Sequence, residues 1–527
     1  MNKVDAKIIL VIILVFISSG ICSQKILPMP FEIKELKGTF QFRETTIISW
    51  DVLGEKTAVY LKGKFPNERI LAKKGQPLAD ILFKRIDDED LGDEGYNLKI
   101  LSGQIIISAN TETGCFYGVQ SLLHLLPPDV AYGSQELQNA SLACMEIIDK
   151  PKYSWRSFML DSGRQYQTPE FIKQYLDRMA MLKLNVFHWH LTEGQGWRIE
   201  IKKYPKLTSI GSKVAKGEEQ QGFYTQDEIR DIVKYAERLH ITVVPEIDVP
   251  GHSEAAMIAY PELTCFGKAP ETVMAFSPNL FCGGKEETYT FLQNVLQEVC
   301  DLFPSEYIHL GGDEAPKDIW DKCPDCQAKI KNENLINSHD LQLYFSKRLA
   351  RFLGTKKRKV IFWGDVVYQE GVELPDNVVV YWWNWRGHKD KALVNAIAKG
   401  HQVICGTNYY TYLNFPVTPW NNYREHRTFD IKTVYEENPS DLEIPHNLVL
   451  GMGTCLWTDW YVKQNMIDRR VFPRIFALAE QMWSSGQRLP FDTFYDLVKS
   501  KYQLLEKMGI DYGPAMGYEV PDGYKWD

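Results

Sequence analysis

Residues 241–252 read ITVVPEIDVPGH, an apolar β-like run that passes directly into two acids and a histidine. A helical pattern precedes this run, with Thr225 and Glu228 spaced as a capping box. The apolar residues of that helix share one face: Ile229, Ile232, Val233 and Ala236. A helix followed by an apolar strand is the repeating unit of a parallel α/β sheet.

The same unit recurs along the rest of the chain. Thr168 followed by Pro169 begins another helix, between the first two predicted strands. Eight strands with helices between them, over roughly 350 residues, predict a (β/α)8 TIM barrel rather than an open sheet. We assign residues 151–527 to this barrel. The predicted strands are residues 155–160, 185–188, 241–245, 307–310, 360–363, 378–382, 402–405 and 448–452.

The residues before the barrel have a different pattern. Residues 25–150 alternate short β-like runs, such as 104–108, with turns, and they contain one helical stretch at 118–126. This pattern predicts a small α+β accessory domain that ends near residue 150. A chain of 527 residues exceeds the size at which one hydrophobic core keeps growing, so more than one domain is expected.

Residues 1–24 have the features of a signal peptide. Lys3 and Lys7 precede an apolar run at 8–17, and small residues follow at 18–20. The apolar run is too short to cross a bilayer, so the sequence predicts an exported protein, periplasmic or extracellular, without a transmembrane segment. A buried N-terminal helix is one alternative. A lipid anchor at Cys22 is another, although Ile21 stands where lipid attachment usually requires a small residue.

The charge and the cysteine spacing indicate which partners and cofactors are not expected. The net charge is −8 and the one dense basic run, at 356–359, is short, so nucleic acid is not an expected partner. Among ten cysteines, Cys265 and Cys282 bracket a Gly- and Pro-rich loop, and they are the pair we expect to be bonded. Cys323 and Cys326 form a C-x-x-C without a second pair at zinc-site spacing. We therefore expect a local disulfide or free thiols there, with no metal or cofactor.

Polar or aromatic side chains follow the predicted strands, where a TIM barrel places its active site. Each has a simpler explanation, since such acids are often helix caps, buried histidines are often structural, and tryptophans often pack. Their convergence favours a pocket for a neutral sugar, because aromatic faces stack on a pyranose and carboxylates and arginine bind its hydroxyls. The residues are Asp161, Arg164, His190, Glu193, Glu246, Asp248, His252, Asp313, Glu314, Trp363, Asp365, Trp385, Tyr412, Asn414, Trp457 and Asp459.

The adjacent acids Asp313 and Glu314 are the most informative pair. Neighbouring side chains at a strand end point in different directions, so these two cannot flank one bond as an ordinary acid and nucleophile do. We expect the more desolvated acid to hold a proton for a glycosidic oxygen. The other would stay ionised and orient a group of the substrate.

Residues 309–314, HLGGDE, resemble the H-x-G-G-D-E signature of family 20 glycoside hydrolases, the β-N-acetylhexosaminidases. Residues 155–164, 185–190 and 245–252 are similar to the family's first three barrel strands. The resemblance implies a retaining exo-hydrolase that removes terminal β-linked GlcNAc or GalNAc from glycans or chito-oligosaccharides. In this mechanism the substrate's acetamido oxygen attacks the anomeric carbon and forms an oxazolinium intermediate.

The resemblance also implies a role for each matching residue. Glu314 matches the general acid and base, and Asp313 matches the carboxylate that holds the acetamido N–H. Tyr412 matches the phenol on the acetamido carbonyl, and Arg164 matches the arginine that binds outer hydroxyls. The aromatic residues around the sugar would be Trp363, Trp385 and Trp457, and the supporting residues behind the site would be His252, Glu193, His190 and Asp248.

Three positions depart from the family pattern. Glu193 stands where Asp is usual, Asn414 where Asp is usual and Asp459 where Glu is usual. The last two positions normally bind the 4- and 6-hydroxyls of the sugar. A rim with less negative charge predicts tolerance of 6-sulfated GlcNAc or of either C4 configuration, unless Arg424 or Trp460 restores the usual contacts.

Two other classes of protein are compatible with parts of the pattern. A carbohydrate-binding protein without catalysis would retain the aromatic residues, although the acids and Tyr412 argue against it. A metal-dependent hydrolase could use His188 and His190, because H-x-H at a strand end also occurs in metal sites. An assay on a chromogenic β-N-acetylglucosaminide tests the first class, and activity after prolonged chelation tests the second.

Overall fold

The computed structural model describes residues 26–65, 69–271, 273, 277–369, 371–383, 391–419, 428–437, 445–459 and 462–524. The predicted signal peptide, Cys22, Trp385, Arg424 and Trp460 lie outside these ranges. The chain forms two compact units, one of Met1–Pro151 with Trp483–Ile510 and one of Lys152–Met482 with Asp511–Asp527. No helix of the described ranges combines the length and apolarity needed to span a membrane.

The first unit is built on a seven-stranded mixed sheet in the order β1-β7-β5-β6-β4-β2-β3. Strands β1, β7, β5 and β6 pair antiparallel, and β6, β4, β2 and β3 pair parallel. This sheet belongs to the small α+β domain that the sequence predicts before the barrel. Its strands are β1 (Glu32–Gln41), β2 (Thr46–Trp50), β3 (Ile70–Lys74), β4 (Ile81–Arg85), β5 (Tyr96–Leu101), β6 (Gln104–Ala109) and β7 (Ser141–Asp149).

Helix α2 (Glu112–Leu125) packs on strands β5 and β6 of this sheet. It begins six residues before the predicted stretch, because the Thr111 hydroxyl caps the N–H groups of Thr113 and Gly114. A Cβ on Gly114 would lie 2.4 Å from the carbonyl oxygen of Gly95, so this close approach requires glycine. The other helices that begin in this unit are α1 (Glu55–Lys64), α3 (Pro128–Ala131), α16 (Phe491–Lys499) and α17 (Tyr502–Lys507).

The second unit is a closed parallel barrel of eight strands, which confirms the predicted fold and all eight predicted strand positions. The final strand β15 pairs with the first, β8, and closes the barrel. Its strands are β8 (Trp155–Asp161), β9 (Val186–His190), β10 (Thr242–Glu246), β11 (Tyr307–His309), β12 (Lys359–Trp363), β13 (Val378–Trp382), β14 (Gln402–Cys405) and β15 (Val449–Leu456).

Helices connect the barrel strands, and the two predicted helix starts are confirmed. The Thr168 hydroxyl caps the N–H of Phe171, and Thr225 and Glu228 form a capping box. The remaining helices are α4 (Pro169–Met181), α5 (Lys206–Ser209), α6 (Gln226–Arg238), α7 (Glu254–Ala259), α8 (Glu286–Leu302), α9 (Asp318–Lys322), α10 (Pro324–Asn332), α11 (Ser338–Thr355), α12 (Lys391–Ala398), α13 (Ile431–Glu436), α14 (Ile467–Val471) and α15 (Ile475–Trp483).

The barrel interior follows the two-residue period of its strands. Its apolar core includes Val186, Val244, Ile361, Val379 and Ile404. Two residues further along β9, β10 and β12, the inward positions are occupied by polar or aromatic side chains. The change from an apolar layer to a polar one, at the carboxyl ends of the strands, positions the candidate site.

Two glycine-to-alanine substitutions in the first unit should have opposite effects on its stability. Gly114→Ala should lower the free energy of unfolding by about 1–3 kcal/mol, because the new Cβ meets backbone 2.4 Å away. Gly63→Ala in α1 meets no atom within 4 Å and should raise it by up to about 1 kcal/mol through helix propensity. Urea unfolding checks both, and equal effects of the two variants would contradict the packing described for α2.

Candidate active site

A fully buried carboxylate, Glu246, organises the floor of the site at the end of β10. It accepts hydrogen bonds from His188 Nε2 at 2.8 Å, His190 Nδ1 at 2.6 Å and the Trp363 indole N–H at 2.8 Å. The ring of His309 stacks on that of His188 with centroids 4.6 Å apart. These contacts join strands β9 to β12 at the level where side chains enter the pocket.

Burial opposes ionisation of Glu246, but the nearby imidazoles outweigh it and hold the pKa of this carboxyl well below its ordinary value. Burial lowers the pKa of His188 to about 4. For His190 the attraction of Glu246 exceeds the effect of burial and raises the pKa. A charged Glu246 therefore accepts hydrogen bonds from a neutral His188 and a more basic His190.

The segment 309–314 leaves β11 through two glycines in left-handed conformations. The φ angles of Gly311 and Gly312 are +63° and +95°. A Cβ on Gly311 would lie 1.7 Å from Asp248 Oδ1, which accepts the N–H of Gly312 at 3.0 Å. The Gln342 side chain donates to the Gly312 carbonyl at 2.8 Å. Asp248 thus fixes the turn that presents the two following acids, and only glycine fits at Gly311.

Asp313 and Glu314 both approach one nitrogen of His252. Its Nε2 lies 3.7 Å from Asp313 Oδ2 and 3.8 Å from Glu314 Oε2, while its Nδ1 lies 2.7 Å from Glu193 Oε1. Glu314 and His252 have φ angles of +45° and +49°, a conformation that costs energy for residues other than glycine. The Glu314 N–H donates to Asp365 Oδ1 at 3.4 Å. This strained local backbone is held by contacts with neighbouring strand ends.

The burial order of the two acids is the reverse of that expected from the sequence. The Asp313 side chain is 11% exposed and that of Glu314 is 21% exposed. Burial and the adjacent Asp248 carboxylate raise the pKa of Asp313 well above its ordinary value. Among the residues that the structure describes, none donates a hydrogen bond to Asp313 Oδ1. The pocket therefore presents a desolvated acceptor oxygen that needs a donor from outside the protein.

His252 and Glu193 form a charged pair beside these acids. Burial disfavours the imidazolium, but Glu193 and Asp313 outweigh it and raise the pKa of His252 well above its ordinary value. Burial likewise opposes the charge of Glu193, yet Arg164 and His252 lower its pKa to about 2. A positive charge is therefore held next to Asp313 and Glu314.

Arg164 lies between two carboxylates at the rim. Its guanidinium hydrogen-bonds Asp161 Oδ2 at 2.9 Å and forms an ion pair with Glu193. Burial opposes its charge, but Glu193, Asp161 and Asp459 hold the pKa of Arg164 above its ordinary value. The guanidinium carbon lies 5.1 Å from the ring centre of Trp457. These contacts set the direction in which the arginine faces the pocket.

Asn414 and Asp459 are brought together at the same rim. The Asn414 amide donates to Asp459 Oδ1 at 3.0 Å. No donor within the described ranges reaches Asn414 Oδ1, which is buried. Burial raises the pKa of Asp459 to about 6, and Arg164 offsets only part of this effect. An aspartate at position 414 would place two carboxylates in contact, whereas asparagine forms a hydrogen bond.

Aromatic rings form a continuous cluster beside the acids. The ring centre of Trp457 lies 5.8 Å from that of Trp363 and 6.1 Å from that of Tyr412. Burial raises the pKa of the Tyr412 phenol well above its ordinary value, so it remains a donor. Of the three predicted tryptophans, Trp363 and Trp457 are in this cluster, and Trp385 is outside the described residues.

Two residues at the site were missed or undervalued from the sequence. Trp383 stacks on Tyr412 at 6.4 Å between ring centres, and its indole N–H donates to Asp365 Oδ2 at 2.7 Å. Asp365, which could have been only a helix cap, also accepts the Glu314 N–H. The signal for Trp383 was the strand period, since Val379 and Tyr381 point into the barrel and 383 follows at the same spacing.

Two groups of ligand-type side chains here lie close enough to share a metal ion, namely His188 with Glu246 and His309, and Asp248 with His252 and Asp313. In the first group His188 donates to Glu246, and the Gly311 N–H donates to His309 Nδ1 at 3.0 Å. In the second group Asp248 binds the N–H of Gly312. Ligand atoms in both groups are therefore engaged in hydrogen bonds that shape the pocket.

Comparison with known proteins identifies one family. The model of "Glycosyl hydrolase family 20, catalytic domain" matches residues 153–486, and that of "Glycosyl hydrolase family 20, domain 2" matches residues 23–150. A β-hexosaminidase of Porphyromonas gingivalis is 34% identical over 92% of this chain, which spans 64% of that relative's length.

Solved structures agree with this match. A crystal structure of β-N-acetylhexosaminidase from Bacteroides fragilis is 50% identical, with a TM-score of 0.88 over 96% of this chain and 100% of that one. The N-acetyl-β-hexosaminidase of Streptomyces plicatus in complex with Thio-NAglucal is 28% identical, with a TM-score of 0.82 over 94% of this chain and 97% of that one. Both comparisons cover the sheet unit and the barrel.

The pKa of Asp459, raised by burial to about 6, predicts how Asp459→Asn changes stability with pH. An unfolded aspartate titrates near about 3.9, so its ionisation costs more in the folded protein. The parent should lose stability relative to the variant as pH rises from about 4 to about 7, by up to about 3 kcal/mol, with no further change above that. Urea unfolding across this range checks the prediction. A difference that is flat, or that shrinks as pH rises, would contradict it.

Proposed function

The chain belongs to glycosyl hydrolase family 20, and we propose that it is a retaining, exo-acting β-N-acetylhexosaminidase. Its substrates are terminal β-linked GlcNAc or GalNAc residues of glycans or chito-oligosaccharides. The observation that carries this proposal is the buried, unpartnered Oδ1 of Asp313, one residue from Glu314 and close to His252. The β-hexosaminidase activity named for the relatives supports the same substrate class.

The acetamido group of the substrate acts as the nucleophile. Its carbonyl oxygen attacks the anomeric carbon as the bond to the leaving oxygen breaks, and Glu314 gives its proton to that oxygen. The product of this step is an oxazolinium ion, with Asp313 against its N–H. Water then attacks the anomeric carbon as its bond to the former carbonyl oxygen breaks, which restores the acetamido group, and the water loses a proton to Glu314, which restores the acid. Two inversions at one carbon give net retention.

Asp313 suits the orienting role because of its environment. Its ionised form is disfavoured while Oδ1 lacks a donor, since burial and Asp248 raise its pKa. The acetamido N–H supplies that donor, and the positive charge that develops on the oxazoline ring favours the carboxylate further. Asp313 therefore binds the transition state more strongly than the ground state, which is the condition for catalysis.

Glu314 suits the acid role because it is the more exposed of the pair and reaches the leaving group. His252 Nε2 lies within 4 Å of both carboxylates, at 3.7 Å and 3.8 Å. Its positive charge lies beside the position where Glu314 becomes negative as the proton is transferred, so the two charges attract. Asp365, through its hydrogen bond to the Glu314 N–H, fixes the strained backbone that aims the side chain.

The aromatic cluster of Trp363, Trp383, Tyr412 and Trp457 encloses the acetamido group and one sugar face. Tyr412 donates its phenol proton to the acetamido carbonyl and sets the angle of attack. Arg164, Asn414 and Asp459 bind the hydroxyls at the non-reducing end. We infer that these three side chains close that end of the site to all but a terminal sugar, which would account for exo action.

The proposed location is outside the cytoplasm. The signal-peptide pattern of residues 1–24 supports export to the periplasm or the extracellular space, and Cys22 leaves a lipid anchor as the alternative. The proposed partner is a glycan that carries terminal N-acetylhexosamine.

Glu314→Gln should lose activity in proportion to the need for a proton on the leaving group. With poor leaving groups we expect kcat/KM to fall by about 10²- to 10⁴-fold, and with activated aryl groups by much less. Rates on an alkyl and a nitrophenyl β-GlcNAc glycoside check this. The same fold-loss on both substrates would assign Glu314 a structural role and overturn the proposal for this residue.

We further propose that the rim tolerates a 6-sulfate on GlcNAc. Asn414 is neutral, and its Nδ2 donates to Asp459 Oδ1, so one carboxylate remains where the family pattern has two. Asn414→Asp should lower the ratio of kcat/KM for 6-sulfated over plain substrate by roughly fivefold, the effect of about 1 kcal/mol of repulsion between anions.

Asn414→Leu is the matched control, because it removes the same amide without adding charge. Its ratio should stay at the parental value even if both rates fall. If Asn414→Asp leaves the ratio unchanged, or if Asn414→Leu lowers it equally, charge at position 414 does not select against the sulfate.

A further inference from the structure

Four cysteines from three separate segments meet outside the candidate active site. Cys265 follows α7, Cys282 precedes α8, Cys323 immediately precedes α10 and Cys326 lies in the first turn of α10. Their exposures are 4% for Cys265 and 0% for the other three. The chemistry proposed above uses none of them, so the cluster needs an explanation of its own.

The four sulfur atoms are close together but are not joined as disulfides. Sγ of Cys282 lies 3.6 Å from that of Cys326 and 3.8 Å from that of Cys323, and Sγ of Cys265 lies 3.8 Å from that of Cys326. A disulfide joins its sulfurs at about 2.05 Å. Cys265 and Cys282 are both free thiols, so the prediction that they are bonded to each other is wrong. None of the nine described cysteines forms a disulfide.

The same distances match a tetrahedron of thiolates around one ion. All four sulfurs lie within 4.8 Å of one another. With zinc–sulfur bonds of about 2.3 Å, a regular tetrahedron has edges of about 3.8 Å. Three of the six edges, at 3.6 Å, 3.8 Å and 3.8 Å, fit that figure. The sulfur–sulfur distances are those of four ligands around one metal ion, and they are too long for disulfide bonds.

The backbone around the cluster is arranged to stabilise thiolates. Gly284 and Lys285 follow Cys282 by two and three residues, and their backbone N–H groups donate hydrogen bonds to its sulfur atom. Cys323 and Cys326 lie at the amino end of α10, where unpaired N–H groups favour negative charge. Two independent segments thus supply donors to the sulfurs.

An apolar shell encloses the cluster. Leu280, Trp320 and Leu341 are fully buried against the cysteines. The Trp320 indole N–H donates to the Phe281 carbonyl at 3.0 Å, beside Cys282. A closed, four-thiolate site shielded from water is the form that structural zinc takes, whereas a catalytic zinc keeps one open position.

We propose that Cys265, Cys282, Cys323 and Cys326 bind one Zn²⁺ ion as a structural centre. Each thiol releases its proton to solvent and forms one sulfur–zinc bond, and no electron transfer is involved. This proposal replaces the expectation from the sequence that these cysteines bind no metal. The spacing of the C-x-x-C lacked a second pair nearby, but the fold supplies Cys265 and Cys282 from a distant loop.

The centre would cross-link the two loops that carry the acids and His252. Cys265 and Cys282 belong to the loop after β10, which contains His252, and Phe281 donates to the Pro250 carbonyl at 3.0 Å. Cys323 lies nine residues after Glu314 along the loop that leaves β11. The ion would therefore hold the two loops together, as a positioning element rather than a catalyst.

Metal analysis of the whole purified protein tests the proposal. Plasma mass spectrometry of protein purified without chelators or a metal-affinity column should find one zinc per chain. The double variant Cys282→Ser/Cys326→Ser should lose the zinc and melt at lower temperature. Cys300→Ser is the matched control, since it removes another buried cysteine of the same unit, and it should keep the zinc.

A second measurement decides the question if the double variant does not fold. In the native parent the four cysteines should resist thiol reagents, and unfolding with a chelator should release zinc and expose four reactive thiols. Cobalt(II) added to zinc-free protein should give the visible absorption of a tetrahedral thiolate complex. Disulfides in place of these thiols, no metal, or iron in the native protein would overturn the proposal, whatever the hydrolase activity.

Discussion

The buried carboxylate of Glu246 is the constraint on which the site depends. A charge with no solvent access must be matched by donors, and His188, His190 and Trp363 supply them from neighbouring strands. Satisfying this one group therefore fixes the orientation of two imidazoles and an indole at once. His190 in turn packs its ring edge-on against Trp457, so the floor of the site positions the aromatic cluster above it.

Above the floor of the site, the carboxylates differ in how completely they are paired with hydrogen-bond donors or cations. Asp248 is used by the glycine turn, Glu193 is shared by Arg164 and His252, and Asp313 keeps one oxygen without a donor in the described structure. Stability would be served by pairing every carboxylate. A desolvated Asp313 and strained backbone at His252 and Glu314 instead give up stability in favour of preorganisation for a substrate.

Sequence reasoning succeeded where the determining interactions are local. Strand runs such as 241–245 and the Thr225 capping box depend on residues a few positions apart, and the fold follows from their order. It failed where distant segments meet. The relative burial of Asp313 and Glu314 depends on Asp248 and on the geometry of the glycine turn. Cys265 and Cys326, whose sulfur atoms lie close together, are 61 positions apart in the sequence. Trp383 lies between these cases, since the strand period places it correctly.

The nucleophile is the central claim, and a fluorine series tests it most directly. Aryl β-GlcNAc glycosides with none to three fluorines on the acetamido methyl differ mainly in the electron density of the carbonyl oxygen. If that oxygen attacks the anomeric carbon with Asp313 against the N–H, kcat/KM should fall steadily with each fluorine. A rate that is independent of fluorine, together with equal hydrolysis of the matching β-glucoside, would show that an enzyme group attacks instead and would contradict this account.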